Sequence, residues 1–350
     1  MNKKNNIYHY LLYAAAFVVF ASCEDYLDVV PTEDITTIES TFEKREDAAT
    51  WLQSCYSFLT IYSGQELLEP AYLGADEFVS GDFFRNNFPE YSEGLFIGDG
   101  LQESNSPFCN VWHKNRYFAA LRYCNIFLDN IMKVYNMSEE EKKLWYYEVE
   151  SLKAFYYFDM MRRYGPIILI SKNISANAST DDMIQSRRPI SEVVDTIVAI
   201  CDRAIENLPY RNQSEISRLR YFSKETAATV KALTLLYAAS PLFNGSSAFA
   251  NFTNKDGEIM FPTYDKERWH RAAVASDEAI EIAKKGQVRL YEGSAGRPNN
   301  YLNIISDIES TWCPDNPSQS QESLLTIKGT TLNFITLSRF IIPPYDNTMG

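Results

Sequence analysis

The sequence predicts a mainly α-helical protein of antiparallel helix pairs with long loops and minor β structure. Three observations predict it. Apolar residues recur at spacings of three and four in six separate stretches. Short links join some of these stretches, which makes the joined helices antiparallel neighbours. One stretch, Glu139 to Ile170, sets Leu144, Trp145, Leu152, Phe155, Tyr156 and Tyr157 too closely for a surface helix, so neighbours must cover most of it.

Taken in order, the chain begins with Lys3 and Lys4, an apolar run from Ile7 to Phe20, and the small pair Ala21-Ser22 directly before Cys23. That is the layout of an export signal ending at a cysteine that accepts lipid. The apolar run is 14 residues long, short of the roughly 20 that span a bilayer. The expectation is a signal peptide over 1–22, lipidation at Cys23 and a polar tether over 23–40.

Thr41 reads as a helix start, and Phe42, Ala48, Trp51, Leu52, Cys55, Tyr56 and Leu59 continue at helical spacing to Ser63-Gly64. Between Tyr72 and Asn110 the periodicity fails. Glycines at 74, 81, 94, 98 and 100 punctuate a run rich in aromatic and polar groups. So long a loop is functional or disordered, and Phe78, Phe83, Phe84, Phe88, Tyr91 and Phe96 argue against disorder. The region 72–110 is therefore the candidate ligand surface.

Trp112, Phe118, Leu121, Cys124, Asn125, Phe127, Leu128 and Ile131 predict the next helix, joined through Val134–Met137 to the central one. The central helix opens on Glu139, Glu140 and Glu141, ends with Arg162 and Arg163, and stops at Gly165-Pro166, so its end charges complement the helix dipole. After a polar stretch from Ile174 to Ser186, Arg188-Pro189-Ile190-Ser191 opens a helix through Val193, Val194, Ile197, Ile200 and Ala204 to Leu208-Pro209. Its partner runs from Ser223 to Pro241, where alanines at 227, 228, 232, 238 and 239 permit close approach. A last helix, Lys266 to Lys285, has Trp269, Ala272, Ala273, Ala279 and Ile282 assigned to one side. Beyond Gly286, Leu324, Leu325, Ile327 and Phe334 suggest short extended pieces.

The central stretch also carries a resemblance. Glu148, Leu152, Lys153, Ala154, Phe155, Tyr156, Tyr157 and Phe158, followed by Arg162-Arg163-Tyr164-Gly165-Pro166, resemble the most recognisable segment of the SusD/RagB family. RYCNIFLDNI (122–131) and KALTLLYAASPLFN (231–244) are similar to two further segments of it. The resemblance implies a tetratricopeptide-like scaffold of helix pairs, although no clean repeat of fixed period stands in the sequence, and an outer-membrane lipoprotein of Bacteroidetes-type bacteria that binds a polysaccharide or oligosaccharide beside a SusC-like TonB-dependent transporter. It implies a domain over 41–350 lacking its C-terminal part, and a glycan site that draws on the loop, with Asp76, Phe84, Arg85, Asn86 and Phe96 as ligand-binding candidates. Phe96 stands where a starch-binding member carries a Trp platform, which points away from starch. Glu24-Asp25 resembles the acidic tag of lipoproteins displayed outside the cell.

The residues agree with such a role on chemical grounds. Sugars are held by a ring stacked on an apolar face with carboxylates, guanidinium and amides on the hydroxyls, and the loop supplies all of these. The formal charge of −13, or −15 without Lys3 and Lys4, repels phosphate backbones and argues against nucleic acid as a partner. Six cysteines show no C-x-x-C spacing, so those after Cys23 are expected to be buried small hydrophobes. His113 and His270 belong to no zinc pattern and are expected to be structural; neither a metal site nor a cofactor is expected, and no nucleophile elbow appears. Two alternatives remain: a glycoside hydrolase drawing two carboxylates from Asp76, Glu77 and Asp82, and a structural surface lipoprotein.

Overall fold

A computed structural model describes residues 38–59 and 111–289, apart from residues 113, 176, 215–217 and 219. Its elements are short α1 (Ile38–Thr41), α2 (Arg45–Ser57), α3 (Tyr117–Asn130), α4 (Glu139–Tyr164), one-turn α5 (Thr180–Met183), α6 (Ile190–Asn207), α7 (Lys224–Ala239) and α8 (Glu267–Lys285). Among the described residues, β structure is limited to the isolated bridges Ile167 to Arg188 and Thr253 to Ile259.

α4 is the axis. Ser138 caps it by accepting the Glu141 N–H at 3.2 Å, and three glutamates at the positive end of the dipole reinforce that start. Gly165 stops it with φ +70°, donating its N–H to the Met161 carbonyl at 2.8 Å. A side chain there would be strained, and a Cβ would come within 3.1 Å of the Phe261 ring. Trp145, Val149, Leu152, Tyr156, Tyr157, Met160 and Met161 are all buried, so the cylinder is covered on most sides as its aromatic density requires. Each large ring contributes about 2–3 kcal/mol by leaving water.

The two expected pairs, α3 with α4 and α6 with α7, both form, and further contacts join them. α3 and α6 both lie against α4, α7 lies against α6, α8 against α7, and α2 against α3. α6 buries Ile190, Val193, Val194, Ile197, Ile200, Cys201 and Ala204 on one stripe. All five alanines of α7 at 227, 228, 232, 238 and 239 are buried, and their small size lets the flanking helices close on both sides. Cys55, Cys124 and Cys201 are buried free thiols, in line with their expected role as small apolar residues.

Four expectations change. Thr41, read as a helix start, is the last residue of short α1, and α2 begins at Arg45. The helix expected around Trp112 begins only at Tyr117; Trp112 precedes it in a turn and packs edge-on against Phe118 and Tyr164. On α8 the buried face is Ala272, Ala275 and Ile282, with Ala279 against the core, while Trp269 is 43% exposed and Ala273 is exposed. The close approach to α7 admits small side chains at the seam and leaves a Trp at its edge. His270 is exposed on the same helix and so is not a packed structural histidine; His113 lies outside the described residues. The leader, the tether and the extended pieces beyond 289 also lie outside them.

Candidate functional site

Cys23, Asp76, Phe84, Arg85, Asn86 and Phe96 all lie outside the described residues, as do Glu77 and Asp82. What the structure does describe is where the candidate loop leaves and rejoins the frame. Leu59, just past α2, and Val111, six residues before α3, are each 2% exposed. Both ends of the intervening segment therefore start from buried anchors on the α2–α3 layer.

Behind α2, the described residues form a polar and aromatic cleft of about 460 Å³ between α2, the first half of α4 and the α6–α7 connection. Arg45 comes from the start of α2, and its backbone N–H is accepted by Asn136 Oδ1 at 2.7 Å. Its guanidinium reaches Glu141 Oε1 at 2.7 Å and sits 5.3 Å from the centre of the Trp145 ring. Arg218 covers the same indole at 5.6 Å and Tyr221 at 4.3 Å, and it pairs with the buried Glu148. Burial pushes the Glu148 carboxyl up to about 7 against the opposing pull of Arg218. Tyr56 closes the back of the cluster by accepting the Phe222 N–H at 3.0 Å; burial and the neighbouring Glu148 carboxyl raise its hydroxyl well above the ordinary value.

Chemically this cleft offers guanidinium, amide, hydroxyl and carboxylate groups around rings already covered by cations. Trp145 Nε1 and Arg218 Nε are buried donors with no hydrogen-bond partner among the described residues, so the cleft floor carries unspent donor capacity. Sequence reasoning marks Trp145 and Glu148 as parts of the central helix but misses Arg218, which lies 70 residues from Glu148 and joins it only by tertiary packing.

The other buried acids of α4 are spent on structure. Glu150 takes Arg203 at 2.5 Å. Asp159 accepts the Tyr117 hydroxyl at 2.7 Å and pairs with Arg162 and Arg163. Lys153 is buried, donates to Asn125 Oδ1 at 2.5 Å, and has its ammonium pKa lowered by that burial. Lys153 thus serves as a point donor to an amide rather than as half of a forked ion pair.

A family model described as "Starch-binding associating with outer membrane" matches residues 25–235. The chain is similar to SusD-like protein P38 of Formosa agariphila, with 25% identity over 242 residues that make up 68% of this chain and 43% of that protein. Among solved structures it is similar to BT4246, with a TM-score of 0.63 at 24% identity over 76% of this chain and 47% of the other. It is also similar to the SusD-like protein BF3747 of Bacteroides fragilis, with a TM-score of 0.56 at 18% identity over 83% and 45%. A laminarin-binding SusD-like protein gives a TM-score of 0.50 at 15% identity over 78% and 50%. At these identities the likeness shows the fold. The chain spans about half, or less, of the length of each.

Proposed function

The chain belongs to the SusD-like family, whose members are described as starch-binding and associated with the outer membrane, and from that premise we propose that it is a surface glycan-binding lipoprotein without enzymatic activity. Its lipid is carried by Cys23. Its ligand is a polysaccharide or oligosaccharide, which it captures and passes to a TonB-dependent transporter of SusC type. The single observation that carries this reading is the family match over 25–235, which takes in both the helical frame and the whole candidate loop 72–110.

The mechanism follows from the chemistry of the parts. Helices buried against α4 hold the loop anchors at Leu59 and Val111. In this proposal Phe84 and Phe96 supply rings for the apolar faces of sugar units, while Asp76, Arg85 and Asn86 take the hydroxyls. Stacking contributes a modest energy per ring and hydrogen bonds to neutral hydroxyls little more. Capture is therefore weak and exchanges fast, which suits delivery to a transporter.

The test is native electrophoresis of the full chain through gels cast with a panel of plant, host and microbial polysaccharides, laminarin and starch included. Expected is retardation by at least one polysaccharide with no new reducing ends after prolonged incubation. Release of reducing ends would favour a hydrolase, and mobility unchanged across the panel would remove the glycan reading.

A further inference from the structure

The cleft behind α2 has no role in the binding proposed for the loop 72–110. Its volume of about 460 Å³ falls in the range of small-molecule sites. Three segments far apart in the chain supply its described wall: Arg45 from α2, Glu141, Trp145 and Glu148 from α4, and Gln213 and Arg218 from the α6–α7 connection.

The polar groups of this wall are unevenly spent. Each carboxylate is already paired, Glu141 with Arg45 and Glu148 with Arg218. The donors are not exhausted by those pairs. Arg45 commits its Nε at 2.9 Å and its Nη2 at 2.7 Å to Glu141, which leaves Nη1. Arg218 commits Nη2 to Glu148, and its buried Nε has no partner. Trp145 is 2% exposed beneath both guanidiniums, and its Nε1 has no partner either. Buried N–H groups left unpaired are costly and call for an acceptor from outside the chain. Gln213 is exposed at the rim, and its Oε1 accepts the Tyr210 N–H at 3.3 Å, so its NH2 group remains as a donor.

A ligand that completes this wall must therefore bring acceptors. The rings do not invite a neutral sugar face, because Arg45 and Arg218 cover Trp145 and Arg218 covers Tyr221 at 4.3 Å. Charge narrows the choice further. The two guanidiniums face Glu141 and a Glu148 carboxyl that burial raises to about 7, so near neutral pH positive charge exceeds negative by a fraction of a unit. A monoanion matches that excess, whereas a phosphate dianion exceeds it. We propose that the cleft is a second ligand site, built from residues outside 72–110, that takes a small organic carboxylate. Arg45 and Arg218 hold the carboxylate oxygens, and Trp145 and Gln213 supply neutral donors. The site goes beyond the glycan reading and stands without it.

The experiment is isothermal titration calorimetry of the full chain with sodium glucuronate, sodium acetate, glucose and sodium phosphate, at pH 7 and matched ionic strength. Expected is saturable one-site binding of glucuronate, with glucose weaker by about tenfold or more. Acetate binding as tightly as glucuronate would identify a free small acid as sufficient, and weaker acetate binding would identify a sugar acid; both support the carboxylate site. Arg45→Met keeps the side-chain stem and removes the guanidinium, and Gln213→Glu keeps the oxygen that accepts from Tyr210 while replacing the NH2 donor by a negative charge. Each should weaken glucuronate by about tenfold or more. The inference is overturned if neither carboxylate binds saturably, if glucose or phosphate binds as tightly as glucuronate, or if either folded variant binds glucuronate like the parent, which would put the carboxylate elsewhere on the chain. Should Arg45→Met fail to fold, Gln213→Glu decides, because the side chain it replaces is exposed.

Discussion

Replacing Glu148 by glutamine should change how the stability of this protein depends on pH, and in a direction opposite to the usual loss of an ion pair. Glu148 is 2% exposed and faces Arg218 and Tyr56 inside the α2–α4 cluster. Its carboxyl is raised from 4.5 to about 7 by burial. Between those two values the folded protein holds a proton that the unfolded chain has released. The stabilisation this gives is complete below pH 4.5 and is lost as pH rises through 7. At about 1.4 kcal/mol per unit, the wild type should lose about 3 kcal/mol across that window through this residue. The amide of Glu148→Gln is uncharged throughout and resembles the protonated acid in shape and hydrogen bonding. Urea unfolding of both proteins from pH 4.5 to 8.5 would read the difference, because every other titrating group is common to both. The curves should lie close together at the acid end, the variant should pull ahead as pH rises from 4.5 towards 7, and the gap should level off above 7. A variant that instead loses ground steadily with rising pH would show that the carboxylate is ionised and held by Arg218, and would refute the reasoning.

Three further predictions rest on single contacts. Asp159 is fully buried and accepts from Tyr117 while pairing with Arg162 and Arg163; Asp159→Ala should cost about 3–5 kcal/mol in denaturant unfolding, and a change under about 1 kcal/mol would contradict that role. Leu152→Ala, at 0% exposure in the middle of α4, should cost about 3–5 kcal/mol by the same assay. Gly245 has φ +81°, and a Cβ there would fall 2.6–2.8 Å from the backbone and Cβ of Tyr264. Gly245→Ala should therefore cost at least about 2 kcal/mol, and a variant as stable as the parent would show that this turn is free to shift.

The parts of the fold that are legible in the sequence are those specified locally. α4 can be bounded from Ser138 to Gly165 because its cap, end charges and stop are all written in adjacent residues. The apolar stripe of α6 and the alanines of α7 follow from periodicity and side-chain size. α8 defeats the same reasoning because its largest residue does not face inward: the buried face is Ala272, Ala275 and Ile282, and Trp269 is left at its edge. Trp112 has helical spacing to Phe118 and Leu121 but sits in a turn, and spacing alone does not reveal where the backbone first closes its hydrogen bonds. The cleft is illegible for a different reason. Arg45 and Glu141 are 96 residues apart, and Glu148 and Arg218 70 apart; no local pattern announces a pair made by packing. The candidate ligand residues of 72–110 come from composition and from the family resemblance, and they lie outside the described residues.

In the proposed mechanism a helical frame presents a separate loop that does the binding. Its most direct test is the double variant Arg85→Ala with Phe96→Ala, compared with the parent for retardation in a gel containing the retained polysaccharide and for thermal midpoint. Retardation should be abolished while the midpoint stays near the parent value. Retardation that persists, or a protein that unfolds, would place those residues outside the binding surface and contradict it.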